Sequence, residues 1–158
     1  MLVRDVMNSK PVTCQNEDTV SEAAREMKRK KISGMPVLDG DRLVGVISES
    51  DVLRLLSGEE EGQLWLPSPL EILEVPFRDL LKWEKLHASV EDISKKKVSE
   101  VMHRDVRTIG PADSIEEAAS IMTRHRINRL PVIENDKLVG IVTRGDIITG
   151  LGKSNEGA

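Results

Sequence analysis

Two runs of the chain are almost wholly apolar and close on a hydroxyl and an aspartate: "LVGVISESDV" from Leu43 to Val52 and "LVGIVTRGDI" from Leu138 to Ile147. Unbroken apolar runs of this kind read as strands buried on both faces. Ahead of each lies a second apolar stretch led by a proline, "GMPVLD" and "RLPVIE", and the polar "DGD" or "END" in between spells a turn. Further upstream the period becomes helical. Val20, Ala23, Ala24 and Met27 recur at i, i+3, i+4 and i+7, as do Ile115, Ala118, Ala119 and Met122, so each set forms one apolar helix face. Thr19 with Glu22, and Ser114 with Glu117, open those helices as capping boxes. A short extended piece precedes each helix, Pro11 to Cys14 and Val106 to Ile109, and a last helix is expected to start at Asp51 and at Asp146.

The pattern therefore occurs twice. Residues 3–56 lie on residues 98–151 without a gap, with about 19 of 54 positions identical. Each copy reads β-α-β-β-α, which gives an α+β chain of two βαββα units. A unit this small buries little surface alone, so the two are expected to pack together through a pseudo-two-fold. The boundaries are 1–56 for the first unit, 57–97 for an insert, 98–151 for the second unit and 152–158 for a flexible tail. In the insert, "WLPSPLEILEVP" carries three prolines and should be irregular. Phe77, Leu80, Leu81 and Glu84 follow at helical spacing, so an amphipathic helix is expected there, near both tryptophans, Trp65 and Trp83. That helix would cover an edge of the core or offer a surface to a partner.

Composition narrows the picture. Hydrophobic residues make up 39% and charged residues 32%, as in soluble globular proteins, while aromatics at 2% leave the core to aliphatic side chains. No run approaches the roughly 20 apolar residues that span a bilayer, and the N-terminus has no signal-peptide pattern, so a cytoplasmic chain is expected. The single cysteine, Cys14, cannot form an internal disulfide and is expected as a small buried hydrophobe. His87, His103 and His125 have no metal-ligand spacing. The net charge of -4 argues against nucleic acid as a partner.

The repeated Gly-x-x-[Ser/Thr]-x-x-Asp has two readings. Ser48 to Asp51 and Thr143 to Asp146 fit a helix cap, worth roughly 1 kcal/mol each. Yet they stand past the end of a buried strand, where α/β structures place ligands and helix N–H groups attract anions. An aspartate accepts from two adjacent hydroxyls of a ribose, and a Ser or Thr hydroxyl with an arginine suits a phosphate. Arg144 lies inside one motif; Arg129, His125 and Arg126 precede the other strand. The runs Lys28–Lys31 and Arg124–Arg126 fit solvated helix ends, where cations complement the dipole.

This ordered set, written twice, resembles tandem CBS domains, the Bateman module, over residues 3–56 and 98–151. The resemblance implies a disc-like homodimer and two clefts that hold adenosine compounds: AMP, ADP, ATP, S-adenosylmethionine or methylthioadenosine. It implies a ribose-binding role for Asp51 and Asp146 and a phosphate-side hydroxyl at Ser48 and Thr143, with Ser50, Arg144 and Gly145 inside the motifs. Base contacts fall on Pro11, Val12 and Thr13 with Ile32, Ser33, Gly34, Met35 and Pro36. In the second copy they fall on Val106, Arg107 and Thr108 with Ile127, Asn128, Arg129, Leu130 and Pro131. "INRLPV" is similar to a stretch that supplies a phosphate-binding arginine in AMP-sensing members, which points to Arg129. Each cleft would join one unit's base segment to the other unit's aspartate. Thr143-Arg-Gly-Asp146 carries a cation where Ser48-Glu-Ser-Asp51 carries a carboxylate, so the Asp146 cleft is expected to bind anionic nucleotide more tightly.

The expected function is a regulatory module that senses an adenosyl compound and modulates an enzyme or transporter, with no cofactor required. The rivals are a scaffold whose clefts stay empty, and an enzyme using Asp51 and Asp146. No nucleophile–base pair, metal cluster or phosphate-binding glycine loop stands beside those carboxylates, so no catalysis is expected.

Overall fold

A computed structural model describes residues 1–58 and 90–154. The helix expected around Phe77 to Glu84, and both tryptophans, lie outside the described residues. The first repeat holds α1 (Val3–Val6), β1 (Cys14–Gln15), α2 (Val20–Lys30), β2 (Gly34–Asp39), β3 (Arg42–Ser48) and α3 (Glu49–Ser57). A helical stretch at 90–95 buries Ile93 and leads to a 3-10 turn, Val98–Glu100. The second repeat holds α4 (Ile115–His125), β4 (Arg129–Glu134), β5 (Lys137–Thr143) and α5 (Arg144–Ser154).

The hairpins form as the alternation of apolar runs and turns implies. β2 and β3 pair antiparallel from Gly34 opposite Ser48 to Asp39 opposite Arg42, with a register shift at Val37/Leu38. β4 and β5 repeat this from Arg129 opposite Thr143, with the shift at Val132/Ile133. Gly40 takes a φ of 61° in the first turn, whereas Asn135 and Asp136 take 51° and 62° in the second. Asparagine and aspartate tolerate that region better than other non-glycine residues, which is why "END" can replace "DGD".

Several expectations need correction. The first extended pieces shrink to Cys14–Gln15 and to a single bridge between Ile109 and Val132. Pro111 explains the second: its counterpart Asn16 donates its N–H to the Leu38 carbonyl at 2.9 Å, and proline has none to give. The last helices begin at Glu49 and Arg144, not at Asp51 and Asp146, because the hydroxyl residue is the cap and the aspartate is the third helical position. Ala24 is exposed and Ala119 half-buried; the helix faces centre on Val20, Ala23 and Met27, and on Ile115, Ala118 and Met122. The Ser114 hydroxyl caps α4 by accepting from the Glu117 N–H, but Ser114 lacks the reciprocal bond that the Thr19 N–H donates to the Glu22 carboxylate. The tail expected to be flexible from 152 is helical to Ser154.

The two cores do not follow the repeats. One packs Met35, Val37, Ile47, Ala23 and Met27 with Val98 and Met102 from the second repeat. The other packs Leu130, Val132, Val142, Ala118 and Met122 with Val3 from the first. Each repeat thus lends its opening segment to the other. Asn8 exchanges backbone bonds with Ile141 at 2.9 and 3.0 Å, and His103 does the same with Val46. These pairs interchange under the same 95-residue displacement that relates the repeats, so the exchange obeys the pseudo-two-fold. Burying an aliphatic side chain such as Val3 or Val98 is worth about 1.5–3 kcal/mol, so neither repeat has a complete core of its own. Among the described residues no helix is long and apolar enough to cross a membrane.

Candidate functional site

The pseudo-two-fold creates two cavities, each walled by both repeats. The first, of about 430 Å3, brings Val12, Ile32, Ser33 and Gly34 together with Asn128, Arg129, Thr143, Arg144, Gly145 and Asp146. The second, of about 660 Å3, brings Ser48, Ser50 and Asp51 together with Val106, Arg107, Ile127, Asn128, Arg129 and Pro131. Other named residues stand elsewhere. Met35, Pro36 and Leu130 are fully buried and line neither cavity. Thr13 lines a separate depression with Cys14 and Glu22, and Thr108 is exposed outside both cavities.

The repeated motif builds the same local device twice. Ser48 donates from its N–H and its hydroxyl to Asp51 Oδ2, at 2.8 and 2.9 Å, and its hydroxyl accepts from the Asp51 N–H. Thr143 donates likewise to Asp146 Oδ2, both bonds at 2.7 Å. One oxygen of each aspartate is thus committed to the cap. The other oxygens differ. Asp146 is half-buried, and among the described residues only Thr143 bonds its carboxylate. Asp51 is 3% exposed. Its Oδ1 lies 2.6 Å from His103 Nε2 and 3.6 Å from Arg54 Nη1. That oxygen accepts no hydrogen bond of good geometry, so these are charge contacts, with Arg54 cationic throughout and His103 cationic when protonated.

Arg129 stands between the cavities and lines both. Its counterpart under the repeat is Gly34, and its guanidinium lies across that glycine: a Cβ at Gly34 would fall 1.6 Å from Arg129 Nη1. Only one of the two positions near the axis has room for a side chain. Arg129 donates to the Ser33 hydroxyl. Burial pushes its guanidinium below its ordinary pKa, while the Asp51 and Glu49 carboxylates pull the other way. A partly desolvated arginine with one neutral partner is well placed to meet an anion.

The pattern of the chain gave less notice of three cavity residues, Lys31, Asn8 and His103. Lys31 lines the first cavity and Arg126, with His125, the second. Lys31 and Arg126 close α2 and α4 in the left-handed region, both at φ 54°, which turns them from the solvated helix end toward a cavity. Non-glycine residues there carry strain of order 1–3 kcal/mol, a feature that clusters at binding sites. Asn8 and His103 arrive by the backbone exchange described above, which no local motif spells. Cys14 packs in the first core, and burial, with Asp18 adding to it, raises its thiol pKa to about 12. Among the described residues no three metal-ligating side chains are grouped.

Two swapped βαββα units around a pseudo-two-fold, with a capped aspartate in each inter-unit cleft, define a paired-repeat module. The family model for the CBS domain matches residues 3–58 and 98–153, and the chain belongs to the CBS-domain family. It is 40% identical over 154 residues to an uncharacterised protein of Methanocaldococcus jannaschii, across 96% of this chain and 91% of that one. A CBS domain-containing protein of Bacillus subtilis, YhcV, is 29% identical over 99% of this chain and 89% of its own. The fold is similar to the crystal structure of CBSX2 in complex with AMP, with a TM-score of 0.70 and 26% identity over 96% of this chain and 97% of that one.

Proposed function

We propose that this chain is a regulatory module that binds an adenosine nucleotide or a related adenosyl compound and passes its occupancy to a partner protein. The observation that carries this is the first cavity. It sets Val12 and Ile32 in one cavity with a capped Asp146 whose second carboxylate oxygen accepts no hydrogen bond from the described residues, and with Lys31, Arg129 and Arg144. Those are the three parts a nucleotide asks for: an apolar surface for the base, a carboxylate oxygen for the ribose hydroxyls, and cations for phosphate. The solved relative CBSX2, bound to AMP, supports that ligand class. No catalytic step is assigned to Asp51 or Asp146, because each is bound into a helix cap.

The partner surface and the dimer belong to the same proposal. α3 exposes Leu53 at 63%, and α5 exposes its counterpart Ile148 at 65% together with Leu151. Apolar side chains at equivalent places on both last helices suit a second copy of the chain. The test is thermal unfolding against AMP, ADP, ATP, S-adenosylmethionine and methylthioadenosine. A ligand at 100 times its dissociation constant adds about 2.7 kcal/mol. A rise in midpoint with one of these, lost in Asp146→Ala, upholds the reading. No rise with any of them favours the scaffold, in which the formed caps are the whole purpose of the motif.

A further inference from the structure

The two clefts carry the same motif, yet only one presents its aspartate. Asp146 is half-buried and held only by Thr143 among the described residues; Asp51 is 3% exposed. The difference does not arise in the motif, since Ser48 and Thr143 bind their aspartates alike. Two neighbours set the clefts apart. His103 Nε2 lies 2.6 Å and Arg54 Nη1 3.6 Å from Asp51 Oδ1, the oxygen left over by the cap. The residues at the equivalent places in the other cleft are Asn8 and Thr149. Asn8 lines that cleft but turns its side chain to the Lys10 N–H, at 3.0 Å, rather than to Asp146.

We propose that His103 and Arg54 are specificity-determining residues that occupy the ribose acceptor of the second cleft, leaving this chain with one open ribose site, at Asp146. A ribose diol needs both hydroxyls to donate to one carboxylate. In the second cleft one oxygen is held by Ser48 and the other faces two nitrogen groups, so a diol must first displace them. This inference rests on the adenosyl reading above and adds which cleft is open and what shuts the other. His103 reaches Asp51 because its backbone is bonded to Val46 of the first repeat, so the mask is a product of the segment exchange.

Calorimetric titration with AMP tests it on the wild type, on His103→Asn, and on Arg54→Thr/His103→Asn, which places the first cleft's residues at those two positions. The wild type is expected to take one equivalent, lost in Asp146→Ala. The double variant is expected to take two, the second at least on the order of tenfold tighter than any second wild-type site, since a hydrogen bond to a charged group is worth that much or more. Asp51→Ala in that background should remove only the added equivalent. The single variant, which keeps Arg54 beside the buried carboxylate, serves where the double variant unfolds, and it should gain a weaker second site. Two equal equivalents in the wild type, or no added equivalent in either variant, overturns the inference while the adenosyl reading stands. An added equivalent in the variants when the wild type takes none upholds the mask and removes Asp146 as the primary site. Absence of AMP binding from all three proteins overturns both.

Discussion

Gly34→Ala adds one methyl group at the pseudo-axis, where the Arg129 guanidinium lies. The new Cβ would stand 1.6 Å from Arg129 Nη1, 2.6 Å from its Cζ and 2.9 Å from the Ile47 carbonyl oxygen. The arginine tip can swing aside and give up its bond to Ser33; the carbonyl belongs to β3 and moves only with the sheet. Overpacking of this kind costs about 1–3 kcal/mol. Alanine recovers about 0.5–1 kcal/mol of it by restricting the unfolded chain, since Gly34 sits in an ordinary strand. The net is a loss of up to about 2.5 kcal/mol. At roughly 2–4 °C per kcal/mol in a chain of this size, the unfolding midpoint should fall by up to roughly 10 °C. Arg129→Ala removes the two closest clashes and leaves only the carbonyl. Gly34→Ala should therefore cost less in that background, with a coupling of about 1 kcal/mol or more. Urea unfolding of the wild type, both single variants and the double variant measures the cycle. A coupling within about 0.5 kcal/mol of zero, the scatter of independent sites, would refute the placement of Arg129 across Gly34.

Three further outcomes are expected. Arg129→Met should weaken AMP binding by about 10- to 100-fold but leave adenosine binding within about threefold, because a charge-assisted phosphate bond of about 1.5–3 kcal/mol is lost while the base and ribose contacts remain; equal losses for both ligands would place Arg129 away from phosphate. Lys31→Gly should leave stability unchanged or raise it by about 1 kcal/mol, by relieving the left-handed cap, and weaken AMP binding; a fall in stability would show that the strain is not there. Cys14 should resist iodoacetamide in the folded protein at pH 8, with its thiol pKa at about 12. Because the folded pKa is raised, the unfolded chain ionises first, near 9.0, so stability should fall as pH rises from about 9 toward 12, and less so in Cys14→Ala.

The parts of the fold that a local pattern spells were legible: hairpins from turn residues between apolar runs, helices from capping pairs and spacing, and the doubling from self-similarity. The motif also led to a cavity, since Thr143, Asp146 and the Ile32–Gly34 stretch line the same one. What escaped were positions set by the partner repeat. Asn8 and His103 carry no motif and enter the clefts only because their backbones pair with Ile141 and Val46. Lys31 reads in the sequence as a solvated helix end, and Arg126 as that or a phosphate partner; the φ of 54° at both caps turns them toward the clefts. The charge comparison of Arg144 with Glu49 ranked the clefts from residues within the motifs. The stronger asymmetry, the cover over Asp51, comes from outside them.

The exchange of opening segments also fixes how a ligand can act. Each cleft is closed by three pieces: the start of one repeat's hairpin, the capped helix of the other, and the crossing segment that carries Asn8 or His103. A ligand in the first cleft would touch Ile32 to Gly34 on one side and Thr143 to Asp146 on the other, and so would brace the two repeats directly. Arg129 extends the brace, because it belongs to both clefts and can turn toward only one anion at a time. A ligand at 100 times its dissociation constant supplies about 2.7 kcal/mol, enough to carry a two-state arrangement from about 1:10 to 10:1 if it binds only one state. A ligand that binds both arrangements equally moves nothing, however tightly it is held. On the proposed reading, regulation would depend less on affinity than on how differently a ligand binds two arrangements of the repeats. Substitutions at the crossing points, such as Gly140→Ala against Met7 Sδ at 2.7 Å and the Asn8 carbonyl at 2.9 Å, should alter signalling even where binding survives.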